Sequence, residues 1–215
     1  MSEDFGRLAT EGIESNSHDV GRWRSGERAR LQVARLLLNA EERAAKAYAL
    51  SHHLDELLAA KFGDLAGRCI SAYWPIKAEL DLRPWMQALH ERGAIVALPI
   101  VEIVKQPLLF RRWAPGMLME RGIWNILVPP STSAVVVPQI CLAPLVGWDA
   151  SGYRLGYGGG YFDRTLATLK PGPYAIGVGV QLSQIESIQP QQHDIPLNAI
   201  VTELGVQFKN GLSTR

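Results

Sequence analysis

Arg154-Leu155-Gly156-Tyr157-Gly158-Gly159-Gly160-Tyr161-Phe162-Asp163-Arg164 is the stretch of this chain best equipped for chemistry, with four glycines in five positions between two arginines. Glycines this dense cost backbone entropy, so such positions need positive φ or room for a ligand against the main chain. An apolar, strand-like run over residues 139–146 leads into it, breaks at Gly147 and turns over residues 149–152. Helix-like apolar spacing at Leu166 and Leu169 follows. A strand, a glycine loop and a helix start leave unpaired N–H groups and the positive end of a helix dipole facing outward, which suits a phosphate. Arg154 and Arg164 would add charge-assisted bonds. No Gly-Lys-Ser/Thr follows, so this is not a Walker A loop, and the spacing is not that of a dinucleotide fingerprint. Two readings stay open: an anion site, or a tight turn with close helix packing.

Other residues could act with the loop. Arg24 and Arg28 lie one turn apart on a helical stretch that starts near Asp19 and carries Leu31, Ala34 and Leu38. They form either a solvated charged face or a ligand contact. Trp74 and Glu79 leave the C-terminal end of a short strand over residues 69–73, where open parallel sheets place their ligands. A carboxylate and an aromatic ring there suit a flat heterocycle with N–H donors, such as a pterin; alternatively Trp74 packs and Asp81 caps the next helix. Asp194, next to His193, sits in a polar turn before the last strand. His52 and His53 have no partner at metal spacing, so they read as structural or surface residues. Cys69 and Cys141 lie in apolar runs and read as inert core thiols. Trp113, Met117, Met119 and Trp124 read as core.

These residues must be positioned by a fold, and 215 residues are enough for one sizeable core. With 47% hydrophobic and 20% charged residues the composition is that of a soluble globular protein. Twenty-two Lys+Arg against 21 Asp+Glu leave a net charge of +1, which argues against a nucleic-acid surface. No run approaches the ~18 apolar residues of a membrane span and no signal-peptide core opens the chain, so the expectation is a cytoplasmic protein without membrane partners. Residues 1–18 read as a disordered tail. Asn39 and Glu42 form the signature of a capping box for a helix with an apolar stripe at Ala47, Leu50, Leu54, Leu57, Leu58 and Phe62. Pro84 fits the first turn of a helix over residues 82–89, and Gly93 stops it. Strands are expected over residues 94–101, 108–113, 174–180 and 199–208. Strands alternating with helices predict an α/β protein, a single-domain three-layer sandwich over residues 19–215 with a mainly parallel sheet flanked by helices.

The glycine stretch, preceded by Pro144-Leu145 and Asp149, closely resembles the signature of the 5-formyltetrahydrofolate cyclo-ligase family, also called methenyltetrahydrofolate synthetases. The likeness runs from about Arg24 to Val206. It implies ATP phosphates on residues 154–162, folate beside residues 157–161, and Mg²⁺ on Asp163. Arg24-Ser25-Gly26-Glu27-Arg28 matches a five-residue N-terminal motif of the family that touches ATP, aligned through Asn39-Ala-Glu-Glu-Arg. Glu79 is then the folate carboxylate, Trp74 lines the pocket, and Asp194 is the second Mg²⁺ contact. Some relatives carry basic side chains where this chain has Tyr157 and Gly159, and Trp74-Pro-Ile-Lys77 departs from the commoner members.

The reaction so implied begins when ATP activates the N5-formyl oxygen of 5-formyltetrahydrofolate. N10 attacks, the ring closes, and 5,10-methenyltetrahydrofolate, ADP and phosphate leave. Arg154 and Asp163 would be catalytic, Arg154 by stabilising charge on the transferring group. Phosphoryl transfer asks for positioning and charge neutralisation rather than protein nucleophiles, which agrees with the lack of a Ser-His-Asp or Cys-His set. The resemblance implies a monomer acting on a reduced folate. The alternatives are a paralogue that binds nucleotide or a pterin-like ligand without ring closure, and a sugar-phosphate isomerase or acyl-CoA enzyme on a similar scaffold.

Overall fold

A seven-stranded sheet in the order β11-β10-β9-β6-β1-β2-β3 forms the centre of the computed structural model, which describes the backbone of residues 4–210 and the side chains of residues 19–210. In chain order the elements are α1 (Asp4–Leu36), α2 (Ala40–Phe62), β1 (Cys69–Ser71), α3 (Arg83–Glu91), β2 (Ile95–Ile100), β3 (Leu109–Arg112), β4 (Glu120–Arg121) and β5 (Leu127–Val128). Then follow β6 (Ile140–Pro144), β7 (Gly147–Trp148), β8 (Arg154–Leu155), α4 (Tyr161–Thr168), β9 (Tyr174–Val178), β10 (Ala199–Thr202) and β11 (Gly205–Lys209). Residues 4–18, expected as part of a disordered tail, have a helical backbone as the first part of α1, which begins at Asp4 rather than near Asp19; residues 1–3 lie outside the described residues.

The five inner strands, β10, β9, β6, β1 and β2, run parallel, and each outer strand pairs antiparallel. The expected mainly parallel sheet is therefore present. One expectation is corrected: residues 199–208 are not one strand but the hairpin β10–β11, whose turn ends at Gly205 with φ of +109°. Residues 134–137 form no full strand and contribute one bridge, Val135 to Arg111.

Side chains alternate across the sheet with period two. Ile70, Val96, Ile140, Leu142 and Ile176 face α2 and α3, whose Leu50, Leu54, Leu58, Met86 and Leu89 complete the main core. Smaller residues, Ala97, Cys141, Ala143 and Ala175, face the other way and receive Phe162, Leu166 and Leu169 from α4 and its end. Helices thus cover both faces, giving three layers. Truncating one fully buried leucine here, such as Leu54, costs about 2–5 kcal/mol. The capping box at α2 forms as expected: Asn39 Oδ1 accepts from Glu42 N–H at 2.9 Å, and Glu42 accepts from Asn39 N–H at 2.7 Å. Cys69 and Cys141 are buried, and burial pushes their thiols up to about 11 and about 12.

α1 lies at the carboxyl edge of the sheet, where Leu31 packs against Gly147 of β7, whose missing side chain makes room for it. Arg24, Arg28, Leu31 and Arg35 recur at helical spacing on this inward face, and all except the half-buried Arg28 are buried.

Candidate active site

Asp149 builds the approach to the glycine loop. Its Oδ1 accepts from the N–H groups of Ser151 at 2.9 Å and Tyr153 at 3.2 Å, closing the β7–β8 turn, and its Oδ2 accepts from Ile188 N–H at 2.9 Å. The chain then enters the loop. Gly158 and Gly160 take φ of +93° and +62°, a region in which a β-carbon is strained. Gly160 is the residue that starts α4, with no side-chain cap. Among the described residues no acceptor meets the N–H groups of Tyr161, Phe162 or Asp163, so the first turn is open to an anion.

Two cations stand at this loop. Arg28 donates Nε to Gly156 O at 2.9 Å, and its guanidinium lies 3.6 Å from where a β-carbon on Gly158 would sit. Its Nη groups have no hydrogen-bond partner among the described residues. Burial, and then the nearby charge of Arg24, lower its pKa, with Asp194 partly offsetting them. Arg164 reaches back to Gly159 O. Arg154, by contrast, is buried and committed: it donates to Ile195 O at 3.0 Å and to Asp163 Oδ1 at 2.9 Å.

The two aspartates expected to act together are brought together. Asp163 Oδ1 accepts from the N–H of Ile195, the residue after Asp194, at 3.1 Å. Asp194 is gripped by Arg24 through both oxygens, at 3.2 and 2.5 Å, and accepts from Gln191 N–H at 2.6 Å. Arg24 also donates to Ile188 O and Gln189 O. Burial opposes ionisation of Asp194, but the Arg24 guanidinium and the Gln191 amide outweigh it and hold its carboxyl below the usual range. Asp163 Oδ2 has no partner among the described residues, where no three His, Cys, Asp or Glu side chains cluster as a metal set.

Glu79 sits in the loop after β1, in which Lys77 and Ala78 both have positive φ. Its Oε2 accepts from Ile76 N–H at 2.9 Å and its Oε1 from the Tyr157 hydroxyl at 2.7 Å. Arg35 donates to that same hydroxyl at 2.7 Å. Burial raises the Glu79 pKa, opposed by the Ile76 amide, Tyr157, Arg35 and Lys77. Glu79 also lines a cleft of about 550 Å³ between α2 and α3, with Ala44, Ala47, Tyr48 and Trp85.

Trp74 lies apart from that cleft: it is half-buried against the core, with the Arg83 guanidinium 5.1 Å from its ring centre. Asp81 pairs with Arg83 and also accepts from the backbone N–H of Arg83, the first residue of α3, at 3.0 Å, while the N-cap position itself is Leu82 and makes no side-chain cap bond. Within residues 24–28 only Arg28 meets the glycine loop, while Arg24 grips the segment over residues 188–194. Ser25 and Gly26 are exposed, and Glu27 pairs with Arg30 at 2.7 Å. Trp124, expected in the core, is 60% exposed and meets the ring of Tyr161 edge-on at 5.5 Å. Sequence reasoning missed Arg35 as a site residue. Its position, eleven residues after Arg24 on one helical face, was the available signal.

The arrangement defines an α/β protein with a glycine loop and an open helix start at the carboxyl edge of a mainly parallel sheet, next to a buried carboxylate in a cleft. Residues 20–203 match the model of the 5-formyltetrahydrofolate cyclo-ligase family. The 5-formyltetrahydrofolate cyclo-ligase of Haemophilus influenzae is 31% identical over 134 residues, which cover 60% of this chain and 72% of that protein. The cyclo-ligase of Escherichia coli K12 is 31% identical over 141 residues, 62% of this chain and 76% of its own. The NMR structure of Aquifex aeolicus 5,10-methenyltetrahydrofolate synthetase superposes with a TM-score of 0.70 at 28% identity, covering 89% of this chain and 96% of that one. A Mycoplasma pneumoniae 5,10-methenyltetrahydrofolate synthetase, at 21% identity and a TM-score of 0.67, shares the fold over 84% of this chain and 98% of its own. This chain belongs to the 5-formyltetrahydrofolate cyclo-ligase family.

Proposed function

We propose that this chain catalyses the ATP-dependent cyclisation of 5-formyltetrahydrofolate to 5,10-methenyltetrahydrofolate, with release of ADP and phosphate. One observation carries the reading: the glycine loop with Arg28, whose Nη groups meet no acceptor among the described residues, and the buried carboxylate Glu79 belong to one hydrogen-bonded unit, joined through Tyr157. An anion site and an acceptor for a heterocycle's N–H groups are thus adjacent, as a reaction between a nucleotide and a pterin requires.

In this reading the open N–H groups at the start of α4, with Arg28 and Arg164, orient the phosphates. Glu79 accepts N–H donors from the pterin, and the cleft behind it takes the rest of the folate. Asp163 and Asp194 offer the hard oxygen donors that Mg²⁺ prefers, and they fit a cation arriving with phosphate, since each carboxylate is paired with an arginine that phosphate could engage instead. Mg²⁺, when bound, neutralises charge on the phosphate oxygens. Arg154 holds Asp163 and the residue 194–195 turn in register. Position and charge neutralisation, which phosphoryl transfer chiefly needs, are what these residues supply. A cytoplasmic monomer is the setting that goes with this reading; no described helix is long and apolar enough to cross a membrane.

The test is the purified protein with Mg·ATP and 5-formyltetrahydrofolate, followed by the near-UV absorbance of the methenyl product. Product is expected, and Asp163→Asn should lower turnover by roughly 10²-fold, as loss of a preorganised electrostatic element does. Nucleotide binding by calorimetry without product would make the chain a binding paralogue and end this reading.

A further inference from the structure

One buried arginine ties together three segments that the proposed reaction needs. Arg35 is 4% exposed and donates to Lys77 O at 3.2 Å, Leu145 O at 3.1 Å and the Tyr157 hydroxyl at 2.7 Å. Lys77 belongs to the loop that carries Glu79, Leu145 follows β6, and Tyr157 is inside the glycine loop. Two cations also lie near the Tyr157 ring, the Lys77 ammonium at 5.1 Å and the Arg35 guanidinium at 5.9 Å from its centre.

Donation along this chain runs in one direction. A guanidinium has no acceptor, an ionised carboxylate has no donor, and a phenol has a single proton. Arg35 must donate to the Tyr157 oxygen, and Tyr157 must spend its proton on Glu79 Oε1. Tyr157 adds no charge to a phosphate site, and Glu79 already has the Ile76 N–H to orient it. What the hydroxyl adds is a link. A shift of the glycine loop withdraws a donor from Glu79, and a rotation of Glu79 takes the acceptor from the Tyr157 hydroxyl.

Resting on the function proposed above, we infer that Tyr157 and Arg35 are positioning residues that couple the nucleotide loop to the folate carboxylate, so that filling either site tightens the other. Neither needs to touch the reacting atoms. Such coupling is reciprocal, because both ligands bias the same element, and a typical factor of about tenfold is expected between the two affinities.

The experiment measures the affinity of 5-formyltetrahydrofolate by calorimetry with and without saturating Mg·ADP, a pair that does not turn over. In the wild type Mg·ADP should tighten folate binding about tenfold. Tyr157→Phe keeps the ring and its cation contacts and removes only the hydroxyl. It should bring that ratio close to one while the affinity for Mg·ADP alone stays within about threefold, a split that a general packing role would not produce. Thermal unfolding of the variant, run alongside, establishes that it is folded. Arg35→Lys, which keeps the charge but loses the fork reaching three acceptors, should give an intermediate ratio. A wild-type ratio of one, an undiminished ratio in Tyr157→Phe, or an equal loss of both affinities in that variant each overturns the inference. The wild-type cyclisation assay separates the two claims: no product ends the functional reading, whereas product with unchanged coupling in Tyr157→Phe ends this inference alone.

Discussion

Glu79→Gln tests the folate end of the site with the least change in shape. Each carboxylate oxygen holds one protein donor, Ile76 N–H at 2.9 Å and Tyr157 OH at 2.7 Å, and keeps lone pairs for a ligand. In the amide the oxygen can stay with Ile76, but the NH₂ then confronts the Tyr157 hydroxyl, whose own oxygen is occupied by Arg35. The ligand loses a charged acceptor as well. A hydrogen bond to a charged group contributes about 1.5–3 kcal/mol, so a net loss near 2 kcal/mol is expected. That corresponds to about a 30-fold rise in the KM for 5-formyltetrahydrofolate, at 1.4 kcal/mol per tenfold. Initial rates of methenyl product formation at saturating Mg·ATP measure it.

The pH dependence supplies a second readout. Burial raises the Glu79 pKa above the usual carboxylate range, despite the Ile76 amide, Tyr157, Arg35 and Lys77. As pH falls through that raised value the wild-type carboxyl gains a proton, loses its charge and turns one oxygen into a donor, so folate KM should climb on the acid side. The glutamine variant has no such titration and should lack this climb. A glutamine variant with wild-type folate KM, or with the same acid dependence, would refute the assignment.

Arg28→Ala removes the cation beside Gly158 and should weaken Mg·ATP binding about tenfold, the scale of one charge-assisted bond, as read by calorimetry. Unchanged affinity would place the phosphates elsewhere. Asp194→Asn leaves Arg24 buried without its counter-charge, and although Arg24 keeps two carbonyl partners, denaturant unfolding should show a loss of about 3 kcal/mol. Because the folded Asp194 carboxyl titrates below its unfolded value, its contribution is complete above the unfolded pKa and is lost as pH falls through the folded one. The gap between wild type and Asp194→Asn should therefore narrow in acid, and a gap that widens would contradict the ion pair. With both thiols raised by burial to about 11 and about 12, neither cysteine should react with a thiol reagent at pH 8 until the chain is unfolded.

Local signals in the sequence carried most of the scaffold. Asn39 and Glu42 announced their capping box, and the apolar run over residues 139–146 announced β6, because neighbours close in sequence decide both features. The β10–β11 hairpin was not legible, since Thr202-Glu-Leu-Gly205 holds no proline or Asn-Gly pair and is flanked by β-forming residues on both sides. The site divides the same way. The glycine loop could be read as a loop because glycine density reports backbone demands directly. That the Nη groups of Arg28, rather than those of Arg154, stand beside it without an acceptor among the described residues could not be read, because Asp163 and the Ile195 carbonyl occupy Arg154 only in the folded chain. Trp124 misled because an aromatic residue near methionines is usually core, whereas here a left-handed backbone, φ +56°, turns it outward. Arg35 meets Tyr157 across 122 positions of sequence, a distance no local pattern spans.

The Arg24–Asp194 pair bridges 170 positions, from the first helix to the last turn before β10. A ribosome delivers the arginine early and its acid only when synthesis is nearly done. Until then the inner face of α1 carries a guanidinium with no counter-ion, and the carbonyls it also grips, at Ile188 and Gln189, emerge just as late. Catalytic competence in this architecture is therefore withheld from incomplete translation products: a nascent chain stopped before residue 188 lacks the clasp that joins α1 to the turn before β10.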